Sequence, residues 1–284
     1  MRIFGATLVL LFLAGSAAAS GPPPVRRIVS LAPHLTELVF SAGAGERLVG
    51  VVSYSDYPPA ARELPRVGDA FSVDFETVVA LRPDLVLAWE GGNPGPIIER
   101  LRSLGLRVET FAPVELDDVA RHLRRIGALT GNQSEADRAA GEYLRTLDRL
   151  RARYSGKRPV RVFYQVSSEP LYTVGGRSYI NQIIDLCGGR NIFAGLKELA
   201  AVVSLEAVLT RDPELIIAGT NSAGALSDQW ARWPGVSAVA AGNLEVVDSS
   251  LTARASVRLM DGAGKVCEAL ESARISLGYS VPSR

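Results

Sequence analysis

A fourteen-residue pattern of apolar and polar positions occurs twice in the chain, 130 positions apart. Residues 75–88 and 205–218 are identical at five positions and similar at most others. Each copy begins with apolar residues at helical spacing, is interrupted by Pro83 or Pro213, and ends in a short apolar run. Proline ends a helix, and a short run that is apolar on both faces is typical of a buried strand. The pattern therefore predicts two lobes of the same design.

The beginnings of the two halves also resemble each other. Residues 26–31 and 160–166 are rich in residues that favour strands, and each is followed by a loop and an apolar helical pattern. These helical patterns end at Gly43 and at the Gly188-Gly189 pair, as helices commonly do. Strands that alternate with helices and are apolar on both faces predict an α/β fold with parallel sheets covered by helices.

The segment between the halves, residues 134–154, predicts a long helix. It lacks proline, and Leu144, Leu147 and Leu150 fall on one helical face opposite charged residues. A helix of ~20 residues spans about 30 Å, so we expect a rigid connection and little closure of the lobes. The predicted division is an N-terminal lobe at residues 20–132, a connecting helix at 133–156 and a C-terminal lobe at 157–284.

The first nineteen residues have the three parts of a cleaved secretory signal. These are Arg2, an apolar run at residues 3–13, and the small residues Ala17 to Ala19. The run is too short for the ~20 residues that cross a bilayer. Removing these 19 residues, whose one charged residue is Arg2, leaves 265 of the 284 residues, with 30 basic and 30 acidic side chains. Such a balance does not concentrate nucleic acid, so we expect recognition by local patches.

Two cysteines, Cys187 and Cys267, would meet an oxidising compartment after export. One disulfide is the default expectation, and it would close a loop of about 80 residues. A pair of buried free thiols and a metal site are the alternatives. No CxxC motif or neighbouring histidine supports a metal site.

The usual motifs of catalysis are missing from the sequence, so we expect a binding protein and no catalytic residue. There is no GxSxG, P-loop or HExxH motif. His34 follows the first predicted strand, where open α/β sheets bind ligands, and it is either a ligand contact or an ordinary residue of the loop or helix start. His122 lies among Arg121, Arg124 and Arg125 and is interpreted as solvated surface.

Five aromatic residues lie at or just after predicted strand ends. Exposed apolar area in such places costs about 25 cal/mol per Å², which indicates that a ligand covers it. The set predicts a cleft lined for a large, partly apolar ligand. Its members are Tyr54, Tyr57, Phe71, Trp89 and Tyr172.

Five sequence segments together resemble the class III solute-binding proteins of bacterial ABC importers, and within them the cobalamin-binding branch. The family also includes haem and siderophore binders. SYSDYP with AWEGGN is fairly specific for the cobalamin branch, whereas the helix, proline and strand pattern is common to the family. The segments are residues 27–38 (RIVSLAPHLTEL), 53–59 (SYSDYPP), 80–93 (ALRPDLVLAWEGGN), 181–193 (NQIIDLCGGRNIF) and 254–259 (RASVRL).

The resemblance implies two Rossmann-like lobes joined by one long helix, with the ligand in the cleft between them. It implies a periplasmic, monomeric protein without a cofactor of its own, and cobalamin or another corrinoid as the transported ligand. Cys187 and Cys267 match a disulfide pair of the family. The positions that match the ligand site are Tyr54, Phe71, Trp89 and Tyr172, which match corrin-lining residues, and Ser250, Leu251 and Arg254, which match a ligand-contacting loop.

Glu76 and Glu206 match the two glutamates that dock onto arginines of the importer's permease subunits. The internal repeat gives the same pair without the family, because both occupy the second position of the repeated segment. Two equivalent carboxylates suit a partner with two-fold symmetry. The alternative is that each simply complements a helix dipole, which is worth about 0.3–1 kcal/mol.

The sequence departs from the family at four positions of the aromatic cage. A tryptophan is replaced by Ala200, an acidic residue and a second tryptophan by Ser250 and Leu251, and a third tryptophan by Phe71. The smaller cage leaves room for a different flat ligand.

Two alternatives therefore stay open. Haem or a ferric siderophore would use His34, Tyr54 or Tyr172 as an axial ligand and Arg254 as a partner for propionates. From a different class, the chain would be an exported tetrapyrrole-processing enzyme or a storage chaperone.

Overall fold

A computed structural model describes residues 24–219 and 223–279 of the chain. The predicted signal sequence at residues 1–19 lies outside these ranges. Among the described helices, none is both long and apolar enough to cross a membrane.

The N-terminal lobe is a parallel four-stranded sheet covered by helices on both faces. Its strands are β1 (Ile28–Ser30), β2 (Leu48–Val51), β3 (Leu85–Trp89) and β4 (Val108–Phe111). They lie in the order β2-β1-β3-β4, and every pair is parallel. The covering helices are α1 (Pro33–Ser41), α2 (Phe75–Ala80), α3 (Gly95–Ser103) and α4 (Asp118–Thr130).

The C-terminal lobe contains a six-stranded sheet with a parallel centre and an antiparallel edge. Its strands are β5 (Val160–Ser168), β6 (Leu171–Val174), β7 (Gly189–Asn191), β8 (Ala200–Val202), β9 (Leu215–Ala218) and β10 (Leu244–Val246). Strands β10, β9, β5 and β7 are parallel, whereas β6 pairs antiparallel with β5 and β8 pairs antiparallel with β6. The helices are α6 (Tyr179–Leu186), α7 (Leu205–Arg211), α8 (Ala223–Trp230), α9 (Ser237–Ala240), α10 (Ser249–Thr252) and α11 (Leu259–Ser276).

Both copies of the repeated segment fold as predicted. Helix α2 and strand β3 form the first copy, and helix α7 and strand β9 form the second. The residues of β9 and the first four of β3 are buried, because helices cover both faces of each sheet. Helices α1 and α6 stop just before Gly43 and Gly188, which both have φ of +71°, a conformation that favours glycine. The two-lobed α/β fold is therefore confirmed.

The connecting helix α5 runs from Gln133 to Tyr154, and it is packed into the core along much of its length. Its buried face includes Ala136, Ala140, Tyr143 and Leu147. These side chains belong to one apolar cluster that contains core residues of both lobes. The phenol of Tyr143 also donates a 2.8 Å hydrogen bond to the carbonyl of Leu116 in the N-terminal lobe. The helix is therefore a structural element shared by the two lobes, rather than an isolated rod.

The predicted disulfide is present between Cys187 and Cys267. It joins the end of α6 to the middle of α11, and both residues are fully buried. Because the bridge links residues 80 positions apart, it ties the final helix to the body of the C-terminal lobe.

Candidate functional site

Aromatic rings gather at the edge of the N-terminal sheet where β2 and β3 end. Trp89 is the last residue of β3 and is half-buried, whereas Tyr54, Tyr57 and Phe71 lie on the neighbouring loops. The residues of Tyr54 and Phe71 are 78% and 72% exposed, unusually high values for aromatic residues. This edge therefore presents apolar area that a ligand could cover.

The buried side chain of Asn93 holds two of these ring-bearing segments together. Its Oδ1 accepts a 2.6 Å hydrogen bond from the backbone N–H of Trp89. Its Nδ2 donates to the carbonyls of Leu31 and Ala70, at 3.0 and 2.9 Å. The loop that carries Phe71 is thereby fixed beside Trp89.

The loop that carries Tyr54 is held from the other lobe by Arg254. Nη2 of Arg254 donates a 2.9 Å hydrogen bond to the carbonyl of Tyr54, and Nη1 donates at 2.6 Å to Oδ1 of Asp56. Tyr54 has φ of +64°, a left-handed conformation that is uncommon for a residue other than glycine. The hydrogen bond with Arg254 holds the pKa of the Asp56 carboxyl below its ordinary value.

Glu37, in the middle of α1, is the buried centre of this contact between the lobes. Its Oε2 accepts a 2.6 Å hydrogen bond from the hydroxyl of Ser256, and its Oε1 accepts from Arg254 at 3.0 Å. Arg258 lies 3.4 Å from the same oxygen and stacks its guanidinium 4.0 Å from the ring centroid of Tyr57. We call Glu37, Asp56, Arg254, Ser256 and Arg258 the cross-lobe cluster.

The residues predicted in the C-terminal lobe lie elsewhere than in simple loops. Tyr172 is a half-buried residue of strand β6. It was expected at a strand end because the hairpin formed by β5 and β6 was not predicted. Ser250 and Leu251 lie in the short helix α10, and Arg258 contacts the Ser250 hydroxyl at 3.4 Å. Ala200 begins strand β8, which pairs with the strand of Tyr172.

The sequence analysis missed Glu37, Ser256 and Arg258. A signal was available for Glu37, which is a charged residue inside the apolar pattern of α1. A charged side chain on a buried helical face requires a partner, although the sequence does not say which one.

Both histidines are buried, His34 as the second residue of α1 and His122 on the inner face of α4. His34 packs edge-on against Trp89 with 5.2 Å between ring centroids, so it lies against that ring and is itself hardly exposed. The interpretation of His122 as solvated surface is wrong. Its ring is buried edge-on against Phe111, because α4 turns this position inward while the neighbouring arginines reach solvent.

Comparison with known proteins agrees with this architecture. The profile of the family described as periplasmic binding proteins matches residues 28–250. The chain belongs to this family. A vitamin B12-binding protein of Vibrio parahaemolyticus is 35% identical over 254 residues, which cover 88% of this chain and 91% of the relative.

Solved structures of the same class give the same fold. The periplasmic vitamin B12-binding protein of Vibrio cholerae superposes with a TM-score of 0.83 at 34% identity, covering 88% of this chain and 98% of that chain. A periplasmic haem-binding protein of Pseudomonas aeruginosa superposes with a TM-score of 0.75 at 27% identity, covering 87% and 92%. These relatives are binding proteins, which confirms that this chain is a solute-binding protein rather than an enzyme.

We expect the two buried histidines to make the protein less stable as the pH falls. Burial lowers the pKa of His34 from 6.5 to about 3 and that of His122 from 6.5 to about 4. Between pH 6.5 and the lowered pKa, each histidine is protonated in the unfolded chain but not in the folded one. The folding stability present above pH 6.5 is therefore lost as the pH falls through this range. Replacing either residue by glutamine should flatten the dependence by up to about 1.4 kcal/mol per pH unit.

Urea denaturation of the wild type, His34→Gln and His122→Gln between pH 7 and pH 4.5 measures this difference. Comparing slopes rather than single values removes the carboxylates, which titrate alike in all three proteins. Equal slopes in the three proteins would contradict neutral, buried histidines.

Proposed function

We propose that the protein binds cobalamin or a related corrinoid in the periplasm and delivers it to an ABC importer of the inner membrane. The observation that carries this proposal is the row of aromatic side chains at one sheet edge. Tyr54 and Phe71 are largely exposed there, beside Trp89, and the other lobe holds the Tyr54 loop in place. The similarity to proteins named for vitamin B12 binding specifies the corrinoid.

In this proposal the ligand is held by surfaces rather than by a reacting group. The rings of Tyr54, Phe71 and Trp89 would pack on the flat macrocycle from the N-terminal lobe. Tyr172 and Leu251 would close the cleft from the C-terminal lobe, while Ser250 and Arg254 would meet the polar rim. Aromatic side chains bury large areas with few rotatable bonds, so they suit a rigid, flat ligand.

Haem, the alternative ligand, has less support from the positions of its candidate partners. His34 is buried against Trp89, so an iron atom would reach it only if that ring moved. Arg254 already donates to Glu37, Asp56 and the carbonyl of Tyr54. Tyr54 is the most exposed of the predicted axial ligands.

Export and a single-chain form complete the proposal. Residues 1–19 would direct secretion and be cleaved, so that the mature protein acts as a monomer in the periplasm. The buried disulfide suits that oxidising compartment.

We expect purified mature protein to bind cyanocobalamin at micromolar concentration or tighter in a calorimetric or absorbance titration. A Tyr54→Ala/Phe71→Ala double variant should bind at least about tenfold more weakly, since burying one such ring contributes about 1.5–3 kcal/mol. Ile275→Ala is the matched control, because that apolar side chain is 67% exposed near the C-terminal end of α11, the end of the helix that lies away from Arg254 and Arg258.

Absence of binding by the wild type would reject the corrinoid while leaving the fold and family intact. A Soret shift on adding hemin, lost in Tyr54→Phe, would instead favour the haem alternative.

Glu76 and Glu206 are presented in the same way on the two lobes, which supports the predicted docking role. Each is the second residue of its helix, α2 or α7, and each is exposed. The helix ends are already capped, because the side chains of Asp74 and Ser204 accept hydrogen bonds from backbone N–H groups three residues later. Glu76 also borders a surface groove of about 750 Å³ whose lining includes exposed Val79.

We expect a Glu76→Ala/Glu206→Ala double variant to bind cyanocobalamin normally but to support little transport into vesicles that contain the importer. Arginine and carboxylate pairs would orient the docked complex, so their loss acts after ligand binding. A Glu46→Ala/Glu245→Ala variant, which removes two other exposed carboxylates, should transport normally. Normal transport by the first variant would show that these glutamates are ordinary helix-start residues.

A further inference from the structure

The charged side chains of the cross-lobe cluster neutralise one another. Arg254 contacts Glu37 at 3.0 Å and Asp56 at 2.6 Å, and Arg258 contacts Glu37 at 3.4 Å. Two carboxylates thus face two guanidinium groups, and the net charge of the four is zero. The cluster adjoins Tyr54 and Tyr57, so it forms a neutral, hydrogen-bonded boundary to the ring-bearing edge.

Glu37 is the least exposed charged member of the cluster, and both arginines point toward its carboxylate. The side chain of Glu37 is 2% exposed, whereas those of Arg254 and Arg258 are 13% and 18% exposed. A ligand carboxylate that recruited either arginine would leave Glu37 short of a partner in a buried place. Leaving a buried charge without its partner is strongly unfavourable.

An uncharged amide on the ligand does not draw an arginine away from Glu37. Arg254 has five N–H groups, and its hydrogen bonds to Glu37, Asp56 and the carbonyl of Tyr54 account for three of them, so an amide oxygen could accept from another without displacing these partners. The same cluster would therefore tolerate a macrocycle with an amide rim and discriminate against one with a carboxylate rim. Specificity would then arise because a ligand carboxylate disrupts the ion pairs of Glu37, whereas an amide leaves them intact.

We propose that Glu37 is a specificity-determining residue that makes the cleft favour uncharged amide groups over carboxylates on the rim of the macrocycle. It acts through Arg254 and Arg258 and is a positioning residue, because its carboxylate is covered by the C-terminal lobe. The proposal rests on the proposed corrinoid-binding function.

A pair of matched ligands tests the proposal. Cyanocobalamin and a monocarboxylate derivative, in which one rim amide has been hydrolysed, share one macrocycle and differ by a single charge. The wild type should bind the amide form more tightly. Glu37→Gln keeps the size of the side chain and an acceptor for Ser256, but it gives the four-group cluster a net charge of +1. The preference for the amide form should then fall by about tenfold, which corresponds to about 1.4 kcal/mol.

One control variant, a second test variant and a scan of ligands separate the possible outcomes. Glu46→Gln removes an exposed carboxylate from the short helical turn before β2, at the opposite end of that strand from the ring-bearing edge, and should leave the preference unchanged. Asp56→Asn, whose native side chain is 49% exposed, raises the cluster charge by the same amount and should lower the preference even if the Glu37 variant does not fold. A scan over several hydrolysed positions identifies the rim group that faces the cluster.

Equal weakening of both ligands in Glu37→Gln and Asp56→Asn, with their ratio unchanged at every position, would overturn the proposal and assign the cluster a purely structural role. Failure of the wild type to bind cyanocobalamin at all would instead reject the proposed function.

Discussion

A carboxylate removed from water requires compensation, and for Glu37 that compensation comes from the opposite lobe. Among the described residues, its hydrogen-bond donors are Arg254, Ser256 and Arg258, all in the C-terminal lobe. Separating the lobes at this point would leave the Glu37 carboxylate of helix α1 without these donors. The N-terminal lobe therefore depends on the C-terminal lobe for a satisfied interior.

The apolar core imposes the same constraint by other means. Helix α5 contributes its buried face to a cluster that continues through both lobes, and Gln182 adds hydrogen bonds from α6 to the backbone of residues 114–116. A hinge needs a boundary that few contacts cross, and here a shared helix and a buried polar cluster cross it. The rings at the sheet edge are thus held in a largely preformed arrangement, which lowers the entropy lost when a rigid ligand binds.

Much of the fold follows from local sequence patterns. Hydrophobic period and segment length act over short distances, so they predicted the repeated helix, proline and strand and the long helix α5. The disulfide was predictable because two cysteines admit only one pairing. The antiparallel strands β6 and β8 were not, since short edge strands carry little alternation of their own. His122 was misinterpreted because neighbouring arginines on a helix do not reveal which face the tertiary structure covers.

The candidate site was only half predictable for a similar reason. The aromatic residues could be found from the sequence because they stand at strand ends, where α/β proteins bind ligands. The cross-lobe cluster joins positions about 200 residues apart, such as Asp56 and Arg254, and no local pattern pairs them. Arg254 was expected to contact the ligand, and in the structure its guanidinium donates hydrogen bonds to Glu37, Asp56 and the carbonyl of Tyr54.

We infer that the two lobes form one rigid body with a preformed cleft. It is tested most directly by measuring the distance between spin labels attached through Glu99→Cys on α3 and Glu245→Cys on β10, with and without cyanocobalamin. Rigidly joined lobes should give one narrow distance distribution whose mean shifts by less than about 2 Å on binding. A broad distribution in the free protein that narrows and shortens by several ångströms with ligand would contradict it.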